Sequence, residues 1–137
     1  MKNEFKELVG KTITGIRLNP ARDIIRFDTE ESGPLYFGAV GDCCSNSWFE
    51  HFDGLQALLG QKITGLEDKT ITEKYKEGDF NYEEYDSIEQ YGITFETKMG
   101  RATLEMRNNS NGYYGGYVVP YNEPNGFDVM KEYTTDF

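Results

Sequence analysis

Short apolar stretches separated by turn residues run through most of the chain. Short apolar runs that follow turn residues predict β-strands over 24–27 and 35–40, and alternation of apolar with polar residues predicts strands over 92–97 and 102–106. Residues 98–101 are predicted to turn between the last two strands, which makes that pair an antiparallel hairpin. A strong turn signal over 108–112 then precedes a last predicted strand over 113–119.

Two segments have the spacing of an amphipathic helix instead. The first contains Phe5, Leu8 and Val9, and the second, over 48–59, contains Trp48, Phe52, Leu55 and Leu59. The pattern predicts an α+β fold, with a mainly antiparallel β-sheet and two short helices packed on one face. We expect residues 1–137 to form a single domain with an irregular C-terminal tail over 120–137, apart from one helical turn near 129–133.

The two predicted helices belong to an internal sequence echo. Residues 8–16, LVGKTITGI, match residues 58–66, LLGQKITGL, at an offset of fifty. Each copy predicts a short helix, a glycine that ends it, and a strand that begins with Ile and Thr in alternation. Two explanations are open, an internal duplication or two uses of a common helix-to-strand connection, and the frequency of glycine at helix ends favours the second.

Charge limits the classes of partner. The chain contains 14 Lys and Arg against 24 Asp and Glu, which gives a formal net charge of −10. Such a chain repels nucleic-acid phosphates, and its basic residues do not cluster, so direct nucleic-acid binding is not expected. The sequence lacks an apolar run long enough for a membrane span and lacks the apolar centre of a signal peptide. We therefore expect a cytoplasmic protein with reduced thiols, or a location in the host cytosol if a phage encodes it.

Two glycine-bearing motifs stand out, GDCCS over 41–45 and SNGYYGG over 110–116. Backbone with little side-chain cover can approach a ligand closely, and asparagine followed by glycine also favours a simple hairpin turn. Gly115 and Gly116 add to the first interpretation because glycine within a strand often marks the close approach of another chain or a ligand.

The pair of motifs, together with the echo and the acidic stretch between them, resembles an uncharacterised domain-of-unknown-function family of small phage and bacterial proteins. The resemblance runs from about Leu8 to Val119. It implies a phage or mobile-element setting and transfers no catalytic residue. Small acidic phage proteins are similar in general character to inhibitors of host defence. This analogy concerns the class of protein and does not rest on particular residues.

Catalysis and metal binding have weak support in the sequence. Two cysteines and one histidine are too few for a zinc site, and Cys43 and Cys44 do not form a chelating pair, so we expect neither a metal nor a cofactor. Cys44 and His51 are the residues for a cysteine-dependent enzyme, since Cys44 precedes the predicted helix whose N-terminus would lower its pKa. The same segment is also explained without catalysis, with Ser45 and Ser47 as N-caps of the predicted helix. The cysteine-dependent enzyme is therefore the third hypothesis.

The first hypothesis is an interaction protein without catalytic activity that binds and inhibits a host factor, in an anti-defence, anti-CRISPR-like role. Its contact surface is the acidic, tyrosine-rich stretch over 73–89, in which carboxylates provide charge and aromatic rings provide anchoring area. The partner-binding residues are predicted to be Glu73, Glu77, Asp79, Tyr82, Glu83, Glu84, Tyr85 and Asp86. The expected partner is a host protein with a basic surface, such as a nucleic-acid-binding defence enzyme.

The second hypothesis is a module that binds or sequesters a small, nucleotide-like ligand. Its site would lie between the two glycine motifs if their strands are neighbours, with an arginine on the same sheet to contact a phosphate. The ligand-binding residues are predicted to be Asp42, Cys43, Cys44, Arg107, Asn111, Tyr113 and Tyr114.

Overall fold

The computed structural model describes residues 1–42, 44–70, 87–110, 115–122 and 130–137. Nine strands make up most of this part: β1 (Ile13–Leu18), β2 (Ile24–Thr29), β3 (Gly33–Gly41), β4 (Asn46–Asp53), β5 (Gly65–Thr70), β6 (Ser87–Thr97), β7 (Gly100–Ser110), β8 (Gly116–Tyr121) and β9 (Lys131–Tyr133). Helical structure in the same residues is limited to a 3₁₀ turn, Lys6–Leu8, and one α-helical turn, α1 (Leu55–Leu58). The fold is therefore all-β in character, and the predicted α+β class with two helices packed on one face is wrong.

The helix predicted over 48–59 is replaced by strand β4 followed by α1. A β-bulge interrupts the pairing of β4 with β7 between Phe49 and His51. Because a bulge adds one residue to a strand, the inward-facing Phe49 and Phe52 are three positions apart instead of two. Both rings are fully buried. A three-residue spacing between apolar residues is typical of a helix, so the bulge explains why the sequence of this strand predicts one.

The strands form two antiparallel sheets. One has five strands in the order β8-β3-β2-β1-β9, and the other has four in the order β4-β7-β6-β5. The strands predicted over 24–27, 35–40, 92–97 and 102–106 lie within β2, β3, β6 and β7 and are confirmed. Their apolar faces share one core, in which the largest buried side chains are Phe5, Phe27, Phe37, Phe49, Phe52 and Phe95. Phe27 and Phe95, from different sheets, have ring centroids 5.5 Å apart, within the range of favourable aromatic pairs.

The C-terminal tail is more regular than predicted. Strand β8 continues to Tyr121, and β9 pairs with β1 where a helical turn was expected. Phe137 exchanges two backbone hydrogen bonds with Phe52, at 2.8 and 3.2 Å. The Asp136 carboxylate accepts a hydrogen bond from the Leu55 amide at 2.8 Å and so caps α1. These contacts anchor the end of the chain to β4 and α1.

The sequence echo corresponds to a two-fold arrangement in the structure. Thr12 pairs with Lys62, its own equivalent at the offset of fifty. On either side, the Ile13 amide donates to the Gln61 carbonyl, and the Ile63 amide donates to the Lys11 carbonyl, both at 3.0 Å. The two helix-to-strand connections therefore pair with each other symmetrically.

The same symmetry extends through the strands. In the first half β1, β2 and β3 are successive neighbours in one sheet, and in the second half β5, β6 and β7 are successive neighbours in the other. Each fourth strand then crosses to the opposite sheet, where β4 pairs with β7 and β8 pairs with β3. A common local connection does not produce an exchange of fourth strands, so this topology favours internal duplication over the explanation preferred from the sequence.

Candidate functional site

The described residues of the two glycine motifs, 41–42, 44–45, 110 and 115–116, meet at one end of the two-sheet sandwich. They belong to the connections that precede β4 and β8, the strands that change sheets, and Gly41 pairs directly with Gly116. The Asp42 amide donates to the Gly115 carbonyl at 3.1 Å, and the Ser45 hydroxyl donates to the Asp42 carbonyl at 2.8 Å. We call this region the crossover end and define it by the described residues 41–42, 44–47, 108–110 and 115–116. The strands that flank the two motifs are therefore neighbours, which is the condition that the ligand-binding hypothesis left open.

The chain's own packing accounts for Gly116. A Cβ atom at this position would lie 2.9 Å from the Cβ of Asn108 and would also overlap the Ser47 hydroxyl. Such contacts are shorter than real Cβ atoms tolerate, so only glycine fits. The close approach inferred from this glycine is therefore an approach of β8 to β4 and β7 within the protein.

Polar side chains occupy the inward-facing positions at the crossover end. The Ser47 hydroxyl donates to the Asn108 side-chain carbonyl at 2.7 Å, and both residues are buried. Nearby, the Tyr91 hydroxyl donates to the Glu89 carboxylate and accepts a hydrogen bond from the Gly116 amide at 3.4 Å. Burial, reinforced by the hydrogen bond to Glu89, raises the pKa of Tyr91 above its ordinary value. The phenol is thus held in its neutral form.

Cys44 is solvent-exposed and has a positive φ of 70°. Strand β4 begins two residues later, so the helix N-terminus that the cysteine-dependent hypothesis places beside this thiol is not present there. His51 lies on the outward side of β4 with its Nε2 atom 4.0 Å from Glu50. At about 3.3 Å per residue, five residues of extended strand separate Asn46 from His51 by roughly 16 Å. The structure therefore does not join Cys44 and His51 into a nucleophile–base pair.

Arg107 belongs to a different surface, the outward face of the four-stranded sheet. Its guanidinium group lies 3.2 Å from the Glu105 carboxylate and 3.6 Å from the Glu50 carboxylate. The Gln90 amide donates to Glu105 at 2.8 Å, and the Trp48 indole donates to Glu50 at 2.5 Å. This network spans β4, β7 and β6. Arg107 is paired with carboxylates there, in contrast to the phosphate-binding role that the sequence suggested.

The remaining predicted site residues lie outside the described residues. They are Cys43, Asn111, Tyr113 and Tyr114 of the ligand site and Glu73, Glu77, Asp79, Tyr82, Glu83, Glu84, Tyr85 and Asp86 of the partner surface. The residues that flank the acidic segment are described: Thr70 pairs with Tyr91, and Ser87 pairs with Ser110. The acidic segment therefore begins after the pair of Thr70 with Tyr91 and ends before the pair of Ser87 with Ser110 at the crossover end.

Sequence reasoning missed three polar groupings: Ser47 with Asn108, Glu89 with Tyr91, and Glu50 with Arg107 and Glu105. The first and third join residues of different strands, so no short motif reports them. Glu89 and Tyr91 lie two positions apart in β6, and their burial at the crossover end depends on long-range pairing. The alternation of Glu105 and Arg107 with buried Leu104 and Met106 was the one available signal, since it places both charges on the outward face.

Within the described ranges, no group of three or more His, Cys, Asp or Glu residues is arranged to hold a metal ion. In the same ranges, no helix has the length and apolar character to cross a membrane.

Comparison with known proteins identifies the family. Residues 6–119 match the family model of a domain of unknown function, DUF7448, and the chain belongs to this family. It is similar to the uncharacterized protein L278 of Acanthamoeba polyphaga mimivirus, with 29% identity over 114 residues that cover 77% of this chain and 83% of the viral protein. No solved structure matches the chain. Membership of an uncharacterised family is thus confirmed, and the phage or bacterial setting stays a prediction.

Proposed function

We propose that this DUF7448 protein is a binding protein without catalytic activity, which engages a basic surface of a host protein and inhibits it. The contact surface is the acidic segment already predicted, Glu73, Glu77, Asp79, Tyr82, Glu83, Glu84, Tyr85 and Asp86. Its carboxylates attract the partner over distance, and its tyrosines supply buried contact area once the partner is bound.

The main support for the proposal is that each of the five arginines contacts an acceptor group of the protein itself. Arg22 donates to the carbonyls of Phe49 and Glu50, at 3.0 and 2.6 Å. The others pair with carboxylates: Arg17 with Glu132, Arg26 with Asp28, Arg101 with Glu96, and Arg107 with Glu50 and Glu105. Arginine is the side chain best suited to bind phosphates. Four of the five arginines are partly buried in these contacts and Arg101 alone is largely exposed, so the protein presents an acidic character to a partner.

A viral setting supports the inhibitory form of the proposal. The similarity to a mimivirus protein is compatible with a viral origin. An anti-defence role, in which acidic side chains occupy the nucleic-acid groove of a host enzyme, is the specific version that we propose. Complementary charge would make this association fast and sensitive to salt.

The test compares two triple variants with the same change in net charge. Glu83→Lys, Glu84→Lys and Asp86→Lys reverse the proposed surface, and Glu7→Lys, Glu30→Lys and Asp53→Lys reverse exposed acids elsewhere. Each protein is used to capture partners from host lysate, and the affinity for a captured, purified partner is then measured at two salt concentrations. We expect a loss of about tenfold or more for the first variant at low salt and little loss for the second. Equal losses, or no loss for either, would remove this surface.

A ligand-binding role at the crossover end is the second candidate. A cavity of about 230 Å³ opens there, lined on one side by residues 38–41 and on the other by residues 45–47, with Asp23, Ile24 and Tyr121. This volume accommodates a group the size of a nucleobase. Gly41 and Ser45 of the first motif line the cavity, and the hydrogen bond from the Asp42 amide to the Gly115 carbonyl joins that motif to the second. A thermal-shift screen with linear and cyclic nucleotides tests it, because a specific ligand raises the melting temperature by mass action. The absence of a shift with every nucleotide would discard this candidate.

A further inference from the structure

The outer edge of the five-stranded sheet shows how one half of the protein receives an extended segment. Strand β9 pairs with β1, with Tyr133 opposite Ile16, Glu132 opposite Arg17 and Lys131 opposite Leu18. The central pair is complementary in charge, with the Arg17 guanidinium 3.5 Å from the Glu132 carboxylate. An antiparallel strand with a matching central charge therefore covers this edge.

Strand β5 is the equivalent edge in the other half. At the offset of fifty, Leu66, Glu67 and Asp68 correspond to Ile16, Arg17 and Leu18. Among the strands that the structure describes, β5 pairs on one side only, with β6, and is the last strand of its sheet. Glu67, Asp68 and Lys69 are all exposed. The position that β9 takes beside β1 thus has no described counterpart beside β5.

Ile16 and Leu66 are equivalent apolar residues, and the one that lies beside an additional strand is the more buried. Ile16, beside the strand that carries Tyr133, is 0% exposed. Leu66 packs against the core but is only partly buried. An apolar side chain opposite Leu66 would complete its burial, as Tyr133 packs against the core on the other side.

We propose that the β5 edge docks an extended segment of a partner protein, which adds as a further antiparallel strand. The segment carries a basic residue opposite Glu67 and an aromatic residue opposite Leu66. The inference rests on the proposed function, since the acidic segment that begins after Thr70 continues from this strand and would meet the same basic partner. Backbone hydrogen bonds supply affinity and the two side-chain positions supply specificity.

A second copy of this chain fits the edge poorly. In an antiparallel pair with two-fold symmetry, one residue faces its own copy. A pair centred on the exposed run would set Glu67 against Glu67, Asp68 against Asp68, or Lys69 against Lys69, and like charges directly opposite each other are destabilising. The charges on β5 thus oppose self-association while they select a basic segment.

The N-terminal residues approach this edge through a side chain. The Lys2 amide donates to the Asp68 carboxylate at 2.8 Å. This contact uses the side chain of Asp68 and not the backbone of β5, so it is compatible with a strand that pairs along Leu66 and Glu67.

Synthetic peptides test the proposal on the full chain. The probe is an eight-residue peptide with the central sequence lysine-arginine-tyrosine, which sets arginine opposite Glu67 and tyrosine opposite Leu66. The comparison peptide has lysine-glutamate-tyrosine, the sequence of β9. We expect the wild-type protein to bind the arginine peptide about threefold to tenfold more tightly, and Glu67→Arg to reverse this preference. A preference unchanged by Glu67→Arg would overturn the proposal.

A third peptide separates strand addition from simple charge attraction. It keeps the arginine sequence but has methyl groups on two successive central backbone nitrogens, one of which must face β5 because amide directions alternate along a strand. We expect it to lose binding, and we expect the unmethylated peptide to slow hydrogen exchange of β5 amides. Equal binding of the methylated peptide would also overturn the proposal.

The outcome is distinguishable from that of the proposed function. If Glu83→Lys, Glu84→Lys and Asp86→Lys abolish partner capture while the peptides show no preference at β5, the acidic surface stands and the docking edge fails. If the peptides bind β5 as expected while the reversal of the acidic segment leaves partner capture unchanged, the docking edge stands and the acidic surface fails.

Discussion

The amide of Gly10 donates a hydrogen bond to the carbonyl of Ile63 at 2.8 Å. Fifty residues along the chain the relationship is inverted, and the amide of Gly60 donates to the carbonyl of Ile13 at 2.7 Å. The two glycines have φ of 85° and 78°, and the two isoleucines are fully buried. Each half of the protein thus donates the hydrogen bond that closes the helix-to-strand connection of the other.

The first prediction concerns these two glycines. Alanine at Gly10 or Gly60 meets no neighbouring atom within 4 Å, so the effect comes from the positive φ alone. We expect Gly10→Ala and Gly60→Ala each to lower the free energy of unfolding by about 1 kcal/mol, measured by urea denaturation. Gly10→Asn and Gly60→Asn are the controls and should lose less, because asparagine tolerates this conformation. A large difference between the two sites would contradict their equivalence.

The second prediction uses adjacent glycines at the crossover end. Gly116→Ala forces a Cβ atom against Asn108 and Ser47, and overpacking of this kind costs about 1–3 kcal/mol. Gly115→Ala is the matched control, since its Cβ atom would lie 3.6 Å from the Tyr91 hydroxyl, an ordinary contact. Chemical denaturation should therefore separate two substitutions that are one residue apart. Similar stabilities of both variants would show that β8 approaches β4 and β7 less closely.

The third prediction concerns the arginine that supports the β4 bulge. Arg22 donates to the carbonyls of Phe49 and Glu50, and its own carbonyl accepts from the Phe49 amide at 2.7 Å. We expect Arg22→Ala to lower the free energy of unfolding by roughly 1–3 kcal/mol, because it leaves carbonyls of the bulge without their charged donor. Arg22→Lys should recover only part of this loss, since lysine does not reproduce the two-pronged geometry.

The control for Arg22 is Arg101, whose side chain is 70% exposed and lies 3.5 Å from Glu96. Exposed ion pairs contribute little, so Arg101→Ala should change the stability by less than about 0.5 kcal/mol. An equal effect at the two arginines would contradict a structural role specific to Arg22.

The fourth prediction concerns alkaline pH. The pKa of Tyr91 is raised from 10.0 by burial and by Glu89, with Asp42 adding negative charge and the Gly116 amide opposing the shift. The folded protein therefore holds this proton more tightly than the unfolded chain. The resulting stability is fully present below pH 10 and is lost as the pH rises through the raised pKa of the folded state.

Melting temperatures of wild type and Tyr91→Phe between pH 8 and 11.5 measure this contribution. We expect the wild type to lose more stability than the variant above pH 10, and the absorbance of tyrosinate to show one fewer late-titrating group in the variant. Parallel melting curves would indicate that Tyr91 titrates alike in the folded and unfolded states.

The sequence predicted correctly the strands in which apolar and polar residues alternate regularly, and it predicted a helix over 48–59 where the structure has strand β4 and a single helical turn. Ile93 and Phe95 alternate with polar residues along β6 in uninterrupted strand geometry, so local pattern and local structure agree. In β4 the bulge at Phe49–His51 shifts the inward positions by one residue. Arg22, from the turn between β1 and β2, donates to both carbonyls at this bulge, and the pairing partner comes from β7. Neither Arg22 nor β7 is close to β4 in the sequence, so a prediction from neighbouring residues cannot take them into account.

The candidate site divides in the same way. The two glycine motifs could be recognised because turn-forming residues carry a local signal. The sequence left open whether their strands are neighbours, and the pairing of Gly41 with Gly116 shows that they are. The structure places Arg107 on the outward face of the four-stranded sheet, because the side of a sheet on which a residue lies depends on register. Arg107 alternates with buried Met106 and so faces outward, toward Glu50 and Glu105.

By itself, the sequence determined the acidic character, the strands with clean alternation and the two equivalent helix-to-strand connections, because each depends on composition or on residues within one turn or strand. The tertiary structure alone decided the exchange of the fourth strands, the bulge in β4 and the pairing of Ser47 with Asn108 and of Arg107 with two carboxylates. These features join residues far apart in the chain, and their energies exist only when long-range pairing has set the register.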